Sequence, residues 1–178
     1  SMKELSEGKF VYSVIRQVTV ESYQVSSTLI RTLVSEGRVK VASQLLGRFF
    51  SVQGTIVKGK AMARNVLGFA TANINIAKEQ LRPIHGVYFV KVQIDDEQRY
   101  GVANFGIRPS VDNGAEVLEV HILDFDGDIY NKQMRVEFVS FMRPEVKFKD
   151  LESLKYQIRR DVTDANYLMR NIKQLTSL

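Results

Sequence analysis

The sequence predicts a mainly β domain, an antiparallel barrel or sandwich with a helix at its C-terminal end. Two observations carry that prediction. From Gly47 onward, apolar residues alternate with polar ones in short segments separated by turn formers, as in half-buried strands. After Arg143-Pro144-Glu145 the apolar spacing lengthens from every second residue to every third or fourth, which is helical. At 178 residues, 44% hydrophobic and 25% charged, the composition is that of one ordinary globular domain able to bury a core.

Residues 3 to 25 hold Phe10, Val11, Tyr12, Val14, Ile15, Val18 and Val20, a β-like run with no companion strand ahead of it, which reads as the tail of something longer. Ser26 and Ser27 are natural N-caps for a helix through Val34 that Gly37 closes. Val39, Ala42, Leu45 and Leu46 mark a second short helix stopped by Gly47. Phe50, Val52 and Ile56 alternate with Ser51, Gln53 and Thr55, and Tyr88, Val90, Val92 and Ile94 with Phe89, Lys91 and Gln93. Each segment therefore has one face for a core.

Asp95 and Asp96 turn the chain toward a strand from Tyr100 to Phe105, and Gly106 to Ser110 makes a loop. Leu118, Val120 and Ile122 alternate with Val117, Glu119, His121 and Leu123, which puts Glu119 and His121 on the face opposite the aliphatics. The run Asp124 to Asp128 is expected to form a tight hairpin, because Asp126-Gly127 supplies the positive φ angles such a turn needs, with Met134, Val136 and Phe138 on the return strand. Leu151, Leu154, Ile158, Val162 and Ala165 share one side of a helix that Asp150 caps.

Cysteine is absent, which excludes disulfides, thiolate metal sites and a cysteine nucleophile and points to a reducing, cytoplasmic setting. With only His85 and His121, a multi-histidine metal site is not expected. No run of eighteen apolar residues and no basic-then-apolar leader occurs, so neither membrane nor export is expected. The formal charge of +5 and pI near 9.4 suit an anionic partner. The basic residues are scattered, however, and the strands show no ladder of exposed aromatics with interleaved basics, so nucleic acid is not the expected partner.

The stretch with most chemical content is Gly59 to Ile74, GKAMARNVLGFATANI. Glycines let backbone N–H groups turn inward around anionic oxygens, and Lys60 and Arg64 add positive charge. Thr71 and Asn73 follow, oxygen donors that share a face if the segment is extended, and Mg²⁺ accepts such ligands while taking others from phosphates and water. No Gly-Lys-Ser/Thr closes the loop, so this is not a P-loop. An ordinary surface loop shares much of this composition.

At Leu67-Gly68-Phe69-Ala70-Thr71-Ala72-Asn73 the sequence resembles the riboflavin kinase family, whose fingerprint is Leu-Gly-Phe-Pro-Thr-Ala-Asn. The resemblance runs from about Leu46 to Ala165 and includes Gly106-Ile107-Arg108-Pro109-Ser110, Leu118-Glu119-Val120-His121-Ile122 and Arg143-Pro144-Glu145. It implies a six-stranded antiparallel, Greek-key-like barrel and phosphorylation of riboflavin by ATP and Mg²⁺ to give FMN. It implies Glu119 as general base, Thr71 and Asn73 as metal ligands, and Gly59, Lys60, Arg64, Asn65, Gly68, Thr71, Asn73 and Tyr130 on ATP. It implies Arg143 on the flavin side, where Phe148 could add an apolar wall, with Arg48 and His121 in support. Taken alone, Glu119 also reads as a solvent-facing strand carboxylate, His121 as a structural histidine, Tyr130 as cross-strand packing and Arg143 as a salt-bridged loop arginine. His85 reads as incidental.

Val25 to Arg31, VSSTLIR, resembles the second signature of the FMN adenylyltransferase domain that precedes the kinase in bacterial bifunctional FAD synthetases. The domain reading is therefore a remnant of that upstream domain at 1–25, linker helices at 26–46 and a riboflavin kinase domain at 47–178. Adenylyltransferase activity is not expected, because the chain has no histidine before His85 to make that domain's nucleotide motif. Three positions depart from the kinase pattern: Phe49 and Ala70 stand where the family has proline, and Ala63 where glycine is common. These departures keep open a flavin-binding module without catalysis, and the net positive charge keeps open a second alternative, a basic nucleic-acid-binding barrel.

Overall fold

A computed structural model of the protein describes residues 13, 16–57, 71–107 and 116–176. Strands β1 (Thr19–Val20) and β2 (Tyr23–Gln24) form a small antiparallel hairpin. Helix α1 (Ser27–Ser35) starts at Ser26, whose Oγ accepts the Leu29 N–H at 3.2 Å. It ends at Gly37, where φ of +75° lets the Gly37 and Arg38 N–H groups turn back to the Val34 and Leu33 carbonyls. Helix α2 (Val39–Leu46) ends likewise at Gly47, with φ of 67°. Both helices occur where the caps and apolar spacing predict them. Their Leu33, Val34, Val39, Ala42 and Leu45 are buried in the same cluster as the barrel interior, so they cover one end of the barrel.

The barrel comprises β3 (Phe50–Val57), β4 (Thr71–Ile76), β5 (Gly86–Ile94), β6 (Glu97–Ile107), β7 (Glu116–Ile122) and β8 (Gln133–Pro144). It closes in the order β3-β4-β7-β6-β5-β8, with every neighbouring pair antiparallel. Closure leaves no unpaired edge among these strands. The inward-facing set expected from alternation fills the interior: Val52, Ile56, Tyr88, Val90, Phe105, Leu118, Val120, Met134 and Phe138. The Tyr88 ring meets Phe138 edge-on at 5.0 Å, and its hydroxyl donates to the Ile84 carbonyl. Burial pushes that phenol well above its ordinary pKa, so it stays protonated as a donor.

Two expectations are corrected. Asp124 to Asp128 does not make a hairpin between β7 and β8: β7 pairs with β4 and β6, and β8 with β3 and β5. The connection from 123 to 132 instead crosses the barrel end. Asp124 (φ 52°) and Asn131 (φ 63°) take the left-handed positions at its two ends, whereas Gly127 does not and has the Phe125 ring packed on it. Phe89, expected on the polar face of β5, is fully buried. The outer face there is covered by α3 (Leu151–Thr176).

Helix α3 begins where Asp150 Oδ1 accepts the Ser153 N–H at 2.7 Å, a bond that holds the Asp150 carboxyl below its ordinary pKa. It continues well past Ala165 and lays Val162, Ala165, Leu168, Met169 and Ile172 against Phe89, Tyr100, Val102, Val139 and Met142. Phe89 and Tyr100 stack there at 5.3 Å. Among the described residues no helix is long and apolar enough to cross a membrane.

Candidate active site

The site follows from register. Leu118 and Val120 point into the barrel with Ala72 and Ile74, so Glu119, His121, Thr71 and Asn73 belong to the outer face. Across the β4–β7 ladder Thr71 lies opposite His121, and Asn73 opposite Glu119. On the other flank of β7, Glu119 lies opposite Asn104; Asn104 pairs in turn with Val87, and Val87 with Arg143. Asn73, Glu119, Asn104, Val87 and Arg143 thus form one row over five strands. At about 4.8 Å per strand its ends are about 19 Å apart along the curved surface. Residues far apart in sequence are therefore arranged as one line, with Glu119 between two primary amides.

Thr71 also edges a cavity of about 300 Å³ at the barrel end, lined by Val120, Ile122, Phe125 and the turn through Tyr130. Within that turn the Tyr130 N–H donates to Asp128 Oδ1 at 3.0 Å. The fold therefore brings together Thr71 and Tyr130 around the cavity, and Thr71, Asn73, Glu119 and His121 on the adjoining surface. Gly59, Lys60, Arg64, Asn65 and Gly68 lie outside the described residues, as do Ala63, Ala70, and Arg108 through Ser110.

Arg143 forms the salt bridge that its sequence context also allowed. Its Nε and Nη2 donate to Asp161 Oδ1 and Oδ2 at 2.9 and 2.7 Å, and its Nη1 to the Pro144 carbonyl at 3.1 Å. The guanidinium carbon lies 6.0 Å from the centre of the Phe148 ring, so the two residues assigned to the flavin side are neighbours. Arg48 is not brought to Thr71. It precedes β3, whereas the 58–70 connection leaves from Val57 at that strand's other end.

Several groups at or near the site were not singled out from sequence. Asn104 could have been found from the outward phase of its strand, but alternation alone does not say which strands flank it. Asp161 sits mid-helix and is buried at 5% exposure, held by Arg143 and by Gln157 Nε2 at 2.9 Å. Glu116 accepts from Arg82 and pairs with His85 Nε2 at 2.9 Å, so His85 is not incidental but joins the approach to β5 to the start of β7. These contacts hold the Glu116 carboxyl below its ordinary pKa, the His85 hydrogen bond contributing most and burial opposing it.

The donor set on β4 fits a hard divalent cation. A hydroxyl and an amide oxygen two residues apart are on one side of the strand, a carboxylate faces the amide from β7, and Asn73 is 6% exposed. Such a pair suits an ion that completes its shell with phosphate oxygens and water.

The family model described as riboflavin kinase matches residues 46–169. Over 164 residues the chain is 35% identical to a bifunctional riboflavin kinase/FMN adenylyltransferase of Listeria monocytogenes, covering 92% of this chain and 52% of that one. A protein of the same description from Pseudomonas fluorescens is 39% identical over 160 residues, covering 89% and 51%. The chain thus spans about half the length of these curated relatives. A solved structure described as a macrolide-efflux protein from Streptococcus pneumoniae matches with a TM-score of 0.78 at 32% identity, over 85% of this chain and 50% of that one.

Proposed function

The chain belongs to the riboflavin kinase family, and from that membership we propose that it transfers the γ-phosphoryl group of ATP to the 5′-hydroxyl of riboflavin, giving ADP and FMN. The observation that carries the proposal is the placement of Glu119 directly opposite Asn73 and one strand from Thr71. A proton acceptor is thereby set beside two oxygen donors suited to a metal-bound phosphate.

In this reading the nucleotide occupies the cavity between Thr71 and the turn through Tyr130, with its phosphates directed toward β4. Thr71 and Asn73 would hold Mg²⁺, which when bound supplies positive charge against the triphosphate oxygens. Glu119 accepts the proton of the 5′-hydroxyl as that oxygen bonds to the γ-phosphorus. The bond from phosphorus to the β,γ-bridging oxygen breaks, and ADP leaves. His121, opposite Thr71, supports the same face. The flavin ring lies toward Arg143 and Phe148, Arg143 offering a flat cationic face held in place by Asp161.

We assign the kinase to residues 47–178, with 26–46 linking it to an upstream adenylyltransferase domain of which 1–25 is the tail. The descriptions of the relatives, which name both activities, support an upstream adenylyltransferase domain. Adenylyl transfer by this chain itself is not expected.

Chromatography of riboflavin incubated with Mg-ATP tests the proposal. FMN should form with the parent protein and drop sharply with Glu119→Gln or without metal. The departures at Phe49, Ala63 and Ala70 favour one second reading, a flavin-binding module without turnover. Riboflavin binding with no FMN formed would select it.

A further inference from the structure

We propose that Asn104 is a positioning residue for the polyol chain of the acceptor, setting the terminal hydroxyl beside Glu119. The inference rests on the kinase reading and adds to it the residue that reads the part of the substrate between its flat ring and its reacting end.

Asn104 occupies the place in the row that such a chain must cross. It lies opposite Glu119 on one side and opposite Val87 on the other, and beyond Val87 stands Arg143. A hydroxyl at Glu119 and a ring over Val87 are separated by two strand spacings, about 10 Å, with Asn104 midway. Val87 is apolar and already covered, so a ring at this place in the row would rest on the side chains packed over it. Asn104 is half-buried and outward-facing, because Ala103 and Phe105 on either side of it point into the barrel.

The chemistry of the position agrees with its placement. A primary amide carries both donors and an acceptor, so it can pair with successive hydroxyls whichever way each is turned. The next outward residue along β6 is Gly106, where a Cβ would fall 2.0 Å from Glu145 Oε1. The Glu145 carboxylate therefore lies directly on the strand in the space a side chain would fill. Glu119, Asn104 and Glu145 make a polar track, with the apolar Val87 beside it. A track of acceptors interrupted by one amide matches a chain of hydroxyl donors better than it matches an anion or a hydrocarbon.

The experiment compares two ligands by quenching of flavin fluorescence: riboflavin, and lumiflavin, which has the same ring with a methyl group in place of the ribityl chain. Asn104→Ala should weaken riboflavin binding by about tenfold, the scale of one to two lost hydrogen bonds, and leave lumiflavin binding unchanged. KM for riboflavin should rise with it while KM for ATP stays constant. Asn104→Leu, close to Asn in size but without polar atoms, should behave alike and serves if the alanine variant folds poorly. Equal weakening of both flavins would make Asn104 a structural or ring-contacting residue and overturn the proposal, as would no change in either. A parent protein that binds neither flavin and makes no FMN would overturn the kinase reading itself, whereas FMN formation with unaffected Asn104 variants removes this inference alone.

Discussion

Arg143 and Asp161 form a two-pronged ion pair, at 2.9 and 2.7 Å, that ties the last barrel strand to the C-terminal helix. Arg143 stands at one end of the row containing Glu119, so the same contact that docks α3 also fixes the proposed flavin side of the site. Fork-to-carboxylate geometry admits one orientation, which a lysine at 143 could not reproduce.

Asp161→Ala would leave the guanidinium without its partner in a largely buried place. Breaking such a pair costs about 3 kcal/mol, which for a chain of this size corresponds to a fall in Tm of roughly 6–12 °C. Thermal melts of the parent, both single alanine variants and the double variant measure the coupling. Additive losses would mean that the pair contributes nothing.

Glu119→Gln keeps the shape of the side chain and removes its basicity. kcat should fall by about 10² to 10⁴, the usual contribution of a general base, with riboflavin binding nearly unchanged. Single-turnover rates and flavin fluorescence separate the two quantities; turnover at the parental rate would remove Glu119 from the chemistry.

Thr71→Ala and Asn73→Ala each delete one proposed ligand of the cation. The Mg²⁺ concentration giving half-maximal activity should rise on the order of tenfold, equivalent to about 1.4 kcal/mol. Riboflavin binding in the absence of nucleotide should not change. Titrations of metal at saturating ATP check this, and an unchanged metal requirement would assign both residues to the strand alone.

Glu116, between His85 and Arg82, provides a pH test of the barrel mouth. Its carboxyl is held below the ordinary value of 4.5, so the pair's contribution is present above that pH and is lost as pH falls through the lowered value. Being partly exposed, it should shift Tm by no more than about 2–4 °C. The difference in Tm between the parent and Glu116→Gln should persist at neutral pH and vanish in acid. A difference that grew on acidification would contradict the assignment.

Much of the architecture is local and therefore legible. Ser26, Gly37 and Gly47 specify helix ends through backbone groups within a few residues of themselves, and the phase of Leu118, Val120 and Ile122 places Glu119 outward regardless of what lies beyond the strand. Asp126-Gly127 was misleading for the opposite reason. A turn-forming pair indicates that the chain bends there, but whether the flanking strands become partners depends on the rest of the barrel, and here β3 and β5 occupy both sides of β8.

The sequence by itself determined the β character, the two capped helices, the C-terminal helix and the outward pairing of Glu119 with His121, because alternation and caps are written over neighbouring residues. It also carried the family resemblance that the match over residues 46–169 bears out. Only the tertiary structure decided which strands flank which, and with that the row from Asn73 to Arg143, the partnership of Arg143 with Asp161 and the burial of Phe89 under α3. The physical reason is that register in a closed barrel is set by all its strands together, so contacts between residues distant in sequence exist only once the sheet has closed.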